Sequence, residues 1–150
     1  MSYEGLVTRS IAFAVDAAVI NLVAITVGAI VALAVSVLSV PDWADTALLA
    51  VGGAAYLIWT IAYWATFWST TGQTPGDRLM QIRVCRADDW GQLSVARSVF
   101  RLAALTLAAI PLFAGFLPIL FDDRRRGLHD MLAGTVVVAS ASPAHTPAPA

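Results

Sequence analysis

The chain has 150 residues, of which 59% are hydrophobic and 13% charged, with a mean hydropathy of +0.76. A soluble globular domain carries about 25% charged residues, so this composition excludes a water-covered globule and points to one integral membrane domain. The formal net charge of -1 excludes little about partners, because the charges are segregated along the chain, and Cys85, the only cysteine, rules out an internal disulfide or a cysteine-based metal cluster.

The first apolar run, Ser10 to Val40, follows Arg9 and contains Asp16. It exceeds the ~20 residues that cross a hydrocarbon core. It is also about twice a signal-peptide apolar region and is interrupted by a carboxylate, so it reads as a retained helix. Pro41-Asp42-Trp43-Ala44-Asp45 makes a polar turn without arginine. A second span is expected from Thr46 to Thr70, with Trp59, Tyr63, Trp64, Phe67 and Trp68 crowding its C-terminal half. Amphipathic aromatics favour the headgroup boundary, so part of this cluster should mark the interface; plain packing is the competing reading for Trp59 and Tyr63. Small residues four apart at Ala14/Ala18, Gly28/Ala32 and Ala50/Ala54 would permit close helix approach.

Residues 71–97 form a polar connector bearing Arg78, Arg83, Arg86 and Arg97. Thr74-Pro75-Gly76-Asp77 predicts a short helix from Pro75 to about Met80, with Thr as cap and Pro first. Met80 to Cys85 then alternates apolar and other residues with period two, which predicts a strand. Asp88-Asp89-Trp90-Gly91 is turn chemistry. Leu93 to Val95 could return as a second strand of a hairpin, or Ser94 could cap the next helix. The third apolar segment, Ser98 to Phe121, is broken by Pro111, Gly115 and Pro118. Thr135 to Val138 is apolar, and a Pro/Ala-rich tail, 140–150, reads as disordered.

The fold class expected is therefore an all-α membrane protein: two long transmembrane helices and a Pro-broken third segment that spans or re-enters, with a small amphipathic or β-hairpin connector. Arginine bias places the N-terminus and the 71–97 connector in the cytoplasm. If the third segment spans, Arg124, Arg125 and Arg126 fall outside. If it dips and returns, all nine arginines stay on one side, and Thr135–Val138 could pair with the Met80–Val84 strand.

An ionisable residue at membrane depth is costly and starts as a functional-site hypothesis. Arg9 and Asp16 share a helix face about 10.5 Å apart along the axis. Asp16 could take a proton or bind a cation; structurally, it could instead pair with Arg101. Asn21 points elsewhere and reads as interhelical glue. Asp123 or Asp130 could join Arg9 or Arg101 in an ionic site, while Arg124–Arg126 suit anionic lipid. His129-Asp130 looks like a metal-ligand dipeptide, but the only other histidine is His145, so no metal site is expected. No nucleophile–base pair and no phosphate-cradling loop is evident. No enzyme, cofactor or nucleic-acid partner is expected.

Arg9, Asp16, the Gly72-Gln73-Thr74-Pro75-Gly76 turn with Gln81-Ile82-Arg83-Val84, Arg97 with Arg101, and the closing Arg124-Arg125-Arg126-Gly127-Leu128-His129-Asp130-Met131-Leu132-Ala133-Gly134-Thr135 together resemble the RDD family of small bacterial membrane proteins. These pieces span most of residues 5–139. The resemblance maps the family's arginine to Arg9, its first aspartate to Asp16 and its second to Asp130, with Asp123 as fallback. Asp77 stands where relatives often carry a basic residue. The resemblance implies a multi-pass inner-membrane protein connected with transport, sodium/proton exchange in some members, and an adaptor or accessory subunit in others. A three-span chain can hardly enclose a pathway, so a homo-oligomer or a membrane partner is expected.

Overall fold

The computed structural model describes residues 3–38, 41–111 and 114–140. In chain order it holds α1 (Leu6–Leu38), α2 (Asp42–Thr70), α3 (Pro75–Leu79), β1 (Ile82–Arg86), α4 (Val95–Ala109), a 3₁₀ segment (Ala114–Leu120), α5 (Leu128–Ala133) and β2 (Thr135–Ala139). Helices α1 and α2 are long and apolar enough to cross a membrane, and α4 with the 3₁₀ segment makes a bent third candidate.

At 1.5 Å per residue, α1 is about 50 Å long, well beyond a hydrocarbon core of roughly 30 Å. Its buried positions are Ala12, Asp16 and Ile20, four apart and so on one stripe. Much of the rest of its surface is apolar and exposed, which suits lipid. The end of α2 meets that stripe with Tyr63, Trp64 and Trp68, all buried in a cluster with Ile82, Val84, Leu93 and Val137. Trp64 and Trp68 are thus core residues rather than interface markers, as is Tyr63. The small-residue pairs make no close approach within the chain: Ala14, Ala18, Gly28, Ala32, Ala50 and Ala54 are all exposed.

Thr74 opens α3 with the full reciprocal cap: its hydroxyl accepts from Asp77 N (3.0 Å) and its own N–H donates to Asp77 Oδ2 (3.1 Å). The strand begins at Ile82, two residues later than the alternation suggests. Met80 is still the C-cap of α3 and Gln81 turns the chain with φ +54°. No hairpin forms with Leu93–Val95. Instead Ser94 caps α4 by accepting from Arg97 N (3.2 Å). The partner of β1 is β2, antiparallel, with Val84 opposite Val137. Tyr3 bridges to Val138, and Glu4 N donates to Val137 O (3.1 Å), so the N-terminus joins the same small sheet.

The third segment is a bent pair of helices. Along α4 the buried residues Ser98, Arg101, Ala104 and Ala108 form one stripe, and the chain then bends by 102°. The 3₁₀ segment packs back on α4 so closely that a Cβ on Gly115 would lie 2.5 Å from that of Ala108. The chain returns, and β2 reaches β1 at the end from which α4 departed. The proposed tail lies beyond the described residues from 141 onward; Ser140 still donates to Gln81 O (2.7 Å).

In a Cys85→Ser background, cysteines at exposed Asp88 and Arg124 should both react with an impermeant maleimide from the same face of a sealed vesicle. A cysteine at Asp45 should react from the opposite face. Labelling of positions 88 and 124 from opposite faces would contradict the β1–β2 pairing.

Candidate functional site

Two carboxylates with no solvent exposure, Asp16 and Asp130, organise the interior. Their partners differ in kind. Asp16 accepts from the Tyr63 hydroxyl (2.8 Å), the Thr74 hydroxyl (2.5 Å) and Gly76 N (2.8 Å). It therefore ties α1 to α2 and to the first turn of α3 through neutral donors. A Cβ on Gly76 would lie 2.1 Å from Ala12 O and 2.8 Å from Asp16 Oδ2, so this approach to α1 requires glycine.

Asp130 is held by charge. Arg101 donates to its Oδ1 from Nη2 (2.7 Å) and Nε (3.2 Å), and Arg9 Nη1 donates to Oδ2. Gly127 N donates to the same Oδ2 (3.2 Å), closing the first turn of α5, and the Thr135 hydroxyl lies 3.2 Å from both Asp130 Oδ1 and Arg101 Nε. Arg9 also donates to Glu4 O from Nε (3.1 Å) and to Arg125 O from Nη2 (2.7 Å). Arg101 also lies over the Trp68 ring, 4.3 Å from its centroid. Burial pushes the Asp130 carboxyl up, but Arg101, His129 and Arg9 outweigh it and hold the group well below the usual carboxylate range. Burial pushes the neighbouring His129 down to about 4, against the pull of Asp130. Burial also raises Asp77 above its ordinary value, although both hydrogen bonds to Thr74 oppose this.

Most of the candidates read from the sequence therefore converge, with one change of partners. Arg101 pairs with Asp130 and not with Asp16, because α5 delivers Asp130 to the buried stripe of α4, while Asp16 is taken by hydroxyl and amide donors. Asp123 is exposed and stands outside the site. Asn21 does link the two long helices: it accepts from the Tyr56 hydroxyl (3.3 Å) and donates to Ala17 O (2.7 Å). Of the basic trio, Arg126 is engaged by Asp122 (2.9 and 3.0 Å), whose carboxyl it draws down to about 2. Arg124 and Arg125 remain exposed. Sequence reasoning left Tyr63 between the headgroup boundary and plain packing, and gave Thr74 and Gly76 to a helix start. Their service to Asp16 is a tertiary fact, and the one available signal was a glycine in the first turn of α3, where it is a poor helix former.

Between the α1 stripe, the aromatic end of α2, and α4 with its returning 3₁₀ segment lies a cavity of about 720 Å³. Arg9, Asp16, Asp77, Arg101 and His129 contribute to its wall, and Phe13, Leu105, Leu117 and Leu120 make it largely apolar.

Compared with known proteins, the chain matches the RDD family over residues 3–134. It is 35% identical over 91 residues to the proline-rich antigen homolog of Mycobacterium tuberculosis, in each of two strains. That similarity covers 61% of this chain and 37% of the relative, so the chain spans well under half the length of the curated relatives it matches. No solved structure matches it.

Removing one partner from a buried ion pair typically costs about 3–5 kcal/mol. Asp130→Asn should therefore lower the thermal unfolding midpoint of the purified protein far more than Asp123→Asn, which should leave it unchanged. Gly76→Ala should also destabilise the fold, since its Cβ must displace α3 from α1. His129 carries a pH signature. Its folded value lies below its ordinary one, so the unfolded chain binds the extra proton as pH falls. Stability is fully present above pH 6.5 and declines toward pH 4, by about 2 kcal/mol between pH 7.5 and 5. Denaturant titrations at those two pH values should show the decline in wild type, and His129→Gln should remove most of it.

Proposed function

Because the chain belongs to the RDD family, we propose that it is a multi-pass transport protein in which Asp16 is the ion-coupling carboxylate. The observation that supports this reading is the contrast between the two buried aspartates. Arginine is a donor only and does not deprotonate in proteins, so Asp130 between Arg9 and Arg101 is a fixed anion and a structural lock. Hydroxyls both donate and accept. The Tyr63 and Thr74 hydroxyls can thus reorient when Asp16 gains a proton, or turn their oxygens toward a small hard cation. Asp16 and Asp77 both contribute to the cavity wall, so an ion held in the cavity would lie beside the carboxylate, which the Tyr63 and Thr74 hydroxyls would uncover by turning. Sodium/proton exchange is the chemistry that fits an oxygen-lined carboxylate of this kind. No group in the reading acts as an enzyme nucleophile.

The reading places the N-terminus and the 71–97 connector in the cytoplasm, as the arginine bias favours. Exposed Arg124 and Arg125 would then face anionic lipid headgroups of the bacterial inner membrane. Because two or three spans can hardly enclose a pathway alone, the reading takes the transporting unit to be a homo-oligomer or a complex with a membrane partner. A second reading, a non-catalytic adaptor or regulatory subunit, draws on one observation: Asp16 already has three donors and could serve as a second lock.

Sodium-driven proton flux into liposomes carrying the purified protein separates the two. Wild type should exchange, and Asp16→Asn, still folded, should lose at least about tenfold of the rate, which corresponds to about 1.4 kcal/mol in the barrier. A folded wild type without flux, or flux unaffected by Asp16→Asn, would overturn the coupling role and favour the adaptor.

A further inference from the structure

Helices α1 and α2 are bare over matching lengths. No residue of α1 from 21 to 38 is buried, and none of α2 from 45 to 62. At 1.5 Å per residue each stretch is about 27 Å long, close to the roughly 30 Å of a hydrocarbon core. Pro41, Trp43 and Asp45 turn the chain at one end of both stretches. At the other end burial begins, with Ile20 and Asp16 on α1 and Tyr63, Trp64 and Trp68 on α2. The bare stretches match the hydrocarbon and leave Asp16 at its boundary.

The third segment does not share those stretches. Helix α4 has 15 residues, about 22 Å, which is too short for the core. Arg101 lies over Trp68 and meets Arg9 at Asp130, and Leu105 and Ala109 share the cavity wall with Phe13, Asp16 and Trp64. So α4 runs beside residues 9–16 of α1 and 64–68 of α2. There the chain bends by 102°, and the 3₁₀ segment folds back on Ala108. Its outer side is nevertheless apolar and exposed, ending in Phe121 at 84%. The apolar surface resumes on α5, where Leu128, Met131 and Leu132 share the exposed face and His129, Asp130 and Ala133 the buried one. Between the two stand Arg124 and Arg125, exposed and in no ion pair among the described residues. Contiguous exposed apolar surface marks an interaction face, and apolar side chains accompanied by arginine are the pattern of a segment lying in a leaflet.

We propose that only α1 and α2 cross the bilayer, and that α4, the 3₁₀ segment and α5 form a wedge seated in the headgroup zone of one leaflet. Phe121, Leu128, Met131 and Leu132 rest against its upper acyl chains, and Arg124 and Arg125 take the phosphates of anionic lipid. The face continues the exposed side of a segment apolar enough to count toward a membrane span, and its arginines complement phosphate; both favour lipid over a protein partner. The wedge does not depend on ion coupling at Asp16 and stands whether or not the protein exchanges sodium.

The test puts a bimane fluorophore on single cysteines at exposed Ile30, Asp88, Leu117 and Leu132 of the full Cys85→Ser chain. The vesicles contain lipids carrying bromine, a contact quencher, near either the carbonyl or the methyl end of the acyl chains. Position 30 should be quenched most by methyl-end bromine and position 88 by neither. Positions 117 and 132 should be quenched most by carbonyl-end bromine. In mixed vesicles, moving the bromine from phosphatidylcholine to phosphatidylglycerol should raise lipid association at position 132 about fivefold, the effect of one basic residue near an anionic surface. Arg124→Gln with Arg125→Gln, both on the surface, should abolish that preference and leave the profile at position 30 unchanged. A profile at position 117 that matches position 30 would make the third segment a span and overturn the proposal. So would a position 132 as unquenched as position 88, which would give the α5 face to a protein partner, or equal association of the two lipids with both arginines in place.

Discussion

A single carboxylate placed between two guanidinium groups holds the polar end of this molecule together. Asp130 sits at the start of α5, Arg101 in the buried stripe of α4 and Arg9 in the first turns of α1. Taking these charges out of water is expensive, and their attraction repays the cost only when geometry is good and the remaining donors are satisfied. Here they are: Gly127 N and the Thr135 hydroxyl complete Asp130, and Glu4 O and Arg125 O complete Arg9. The β1–β2 pairing, the return of the third segment and the docking of the N-terminus on Val137 and Val138 all bring those groups to one place. Without Asp130, two buried guanidinium groups would be left unpaired where these elements meet.

Asp16 plays a different part with the same functional group. It lies in the middle of a stripe otherwise made of Ala12 and Ile20, and it binds hydroxyls and an amide. Such donors fix geometry without fixing charge. The two aspartates therefore divide the interior into a part held by ion pairs and a part held by neutral donors. The cavity is lined by Asp16 on one side and by Arg9, Arg101 and His129 on the other, and α4 with the 3₁₀ segment supplies part of its apolar wall.

Much of this was legible in advance because membranes simplify the problem. Backbone groups in hydrocarbon must be satisfied internally, so long apolar runs could only be helices, and α1 and α2 followed. Thr74-Pro75 carries its capping chemistry locally, and α3 starts where that chemistry puts it. Arg9, Asp16, Arg101 and Asp130 stood out because buried charge is rare. Other features were ambiguous by nature. Trp64 and Trp68 suit a headgroup boundary as well as a core, and composition does not say which. The alternation at Met80–Cys85 signals a strand but names no partner. A nearby Leu93–Val95 and a distant Thr135–Val138 offered equal pattern, and the choice between them rests on packing against Trp68, Val84 and Leu93.

The amino-acid sequence by itself determined that this is a membrane protein of the RDD family, with two long apolar helices, a capped short helix and a small set of charged residues too costly to be incidental. Those properties depend on composition, periodicity and local hydrogen bonding, all readable within a few turns of chain. Only the tertiary structure decided which charges meet, since Arg9 and Asp130 are joined across 121 positions by a bend between α4 and the 3₁₀ segment and by a strand pair. Pairing among buried charges is a matter of distance and direction at the ångström scale, and no local pattern encodes it.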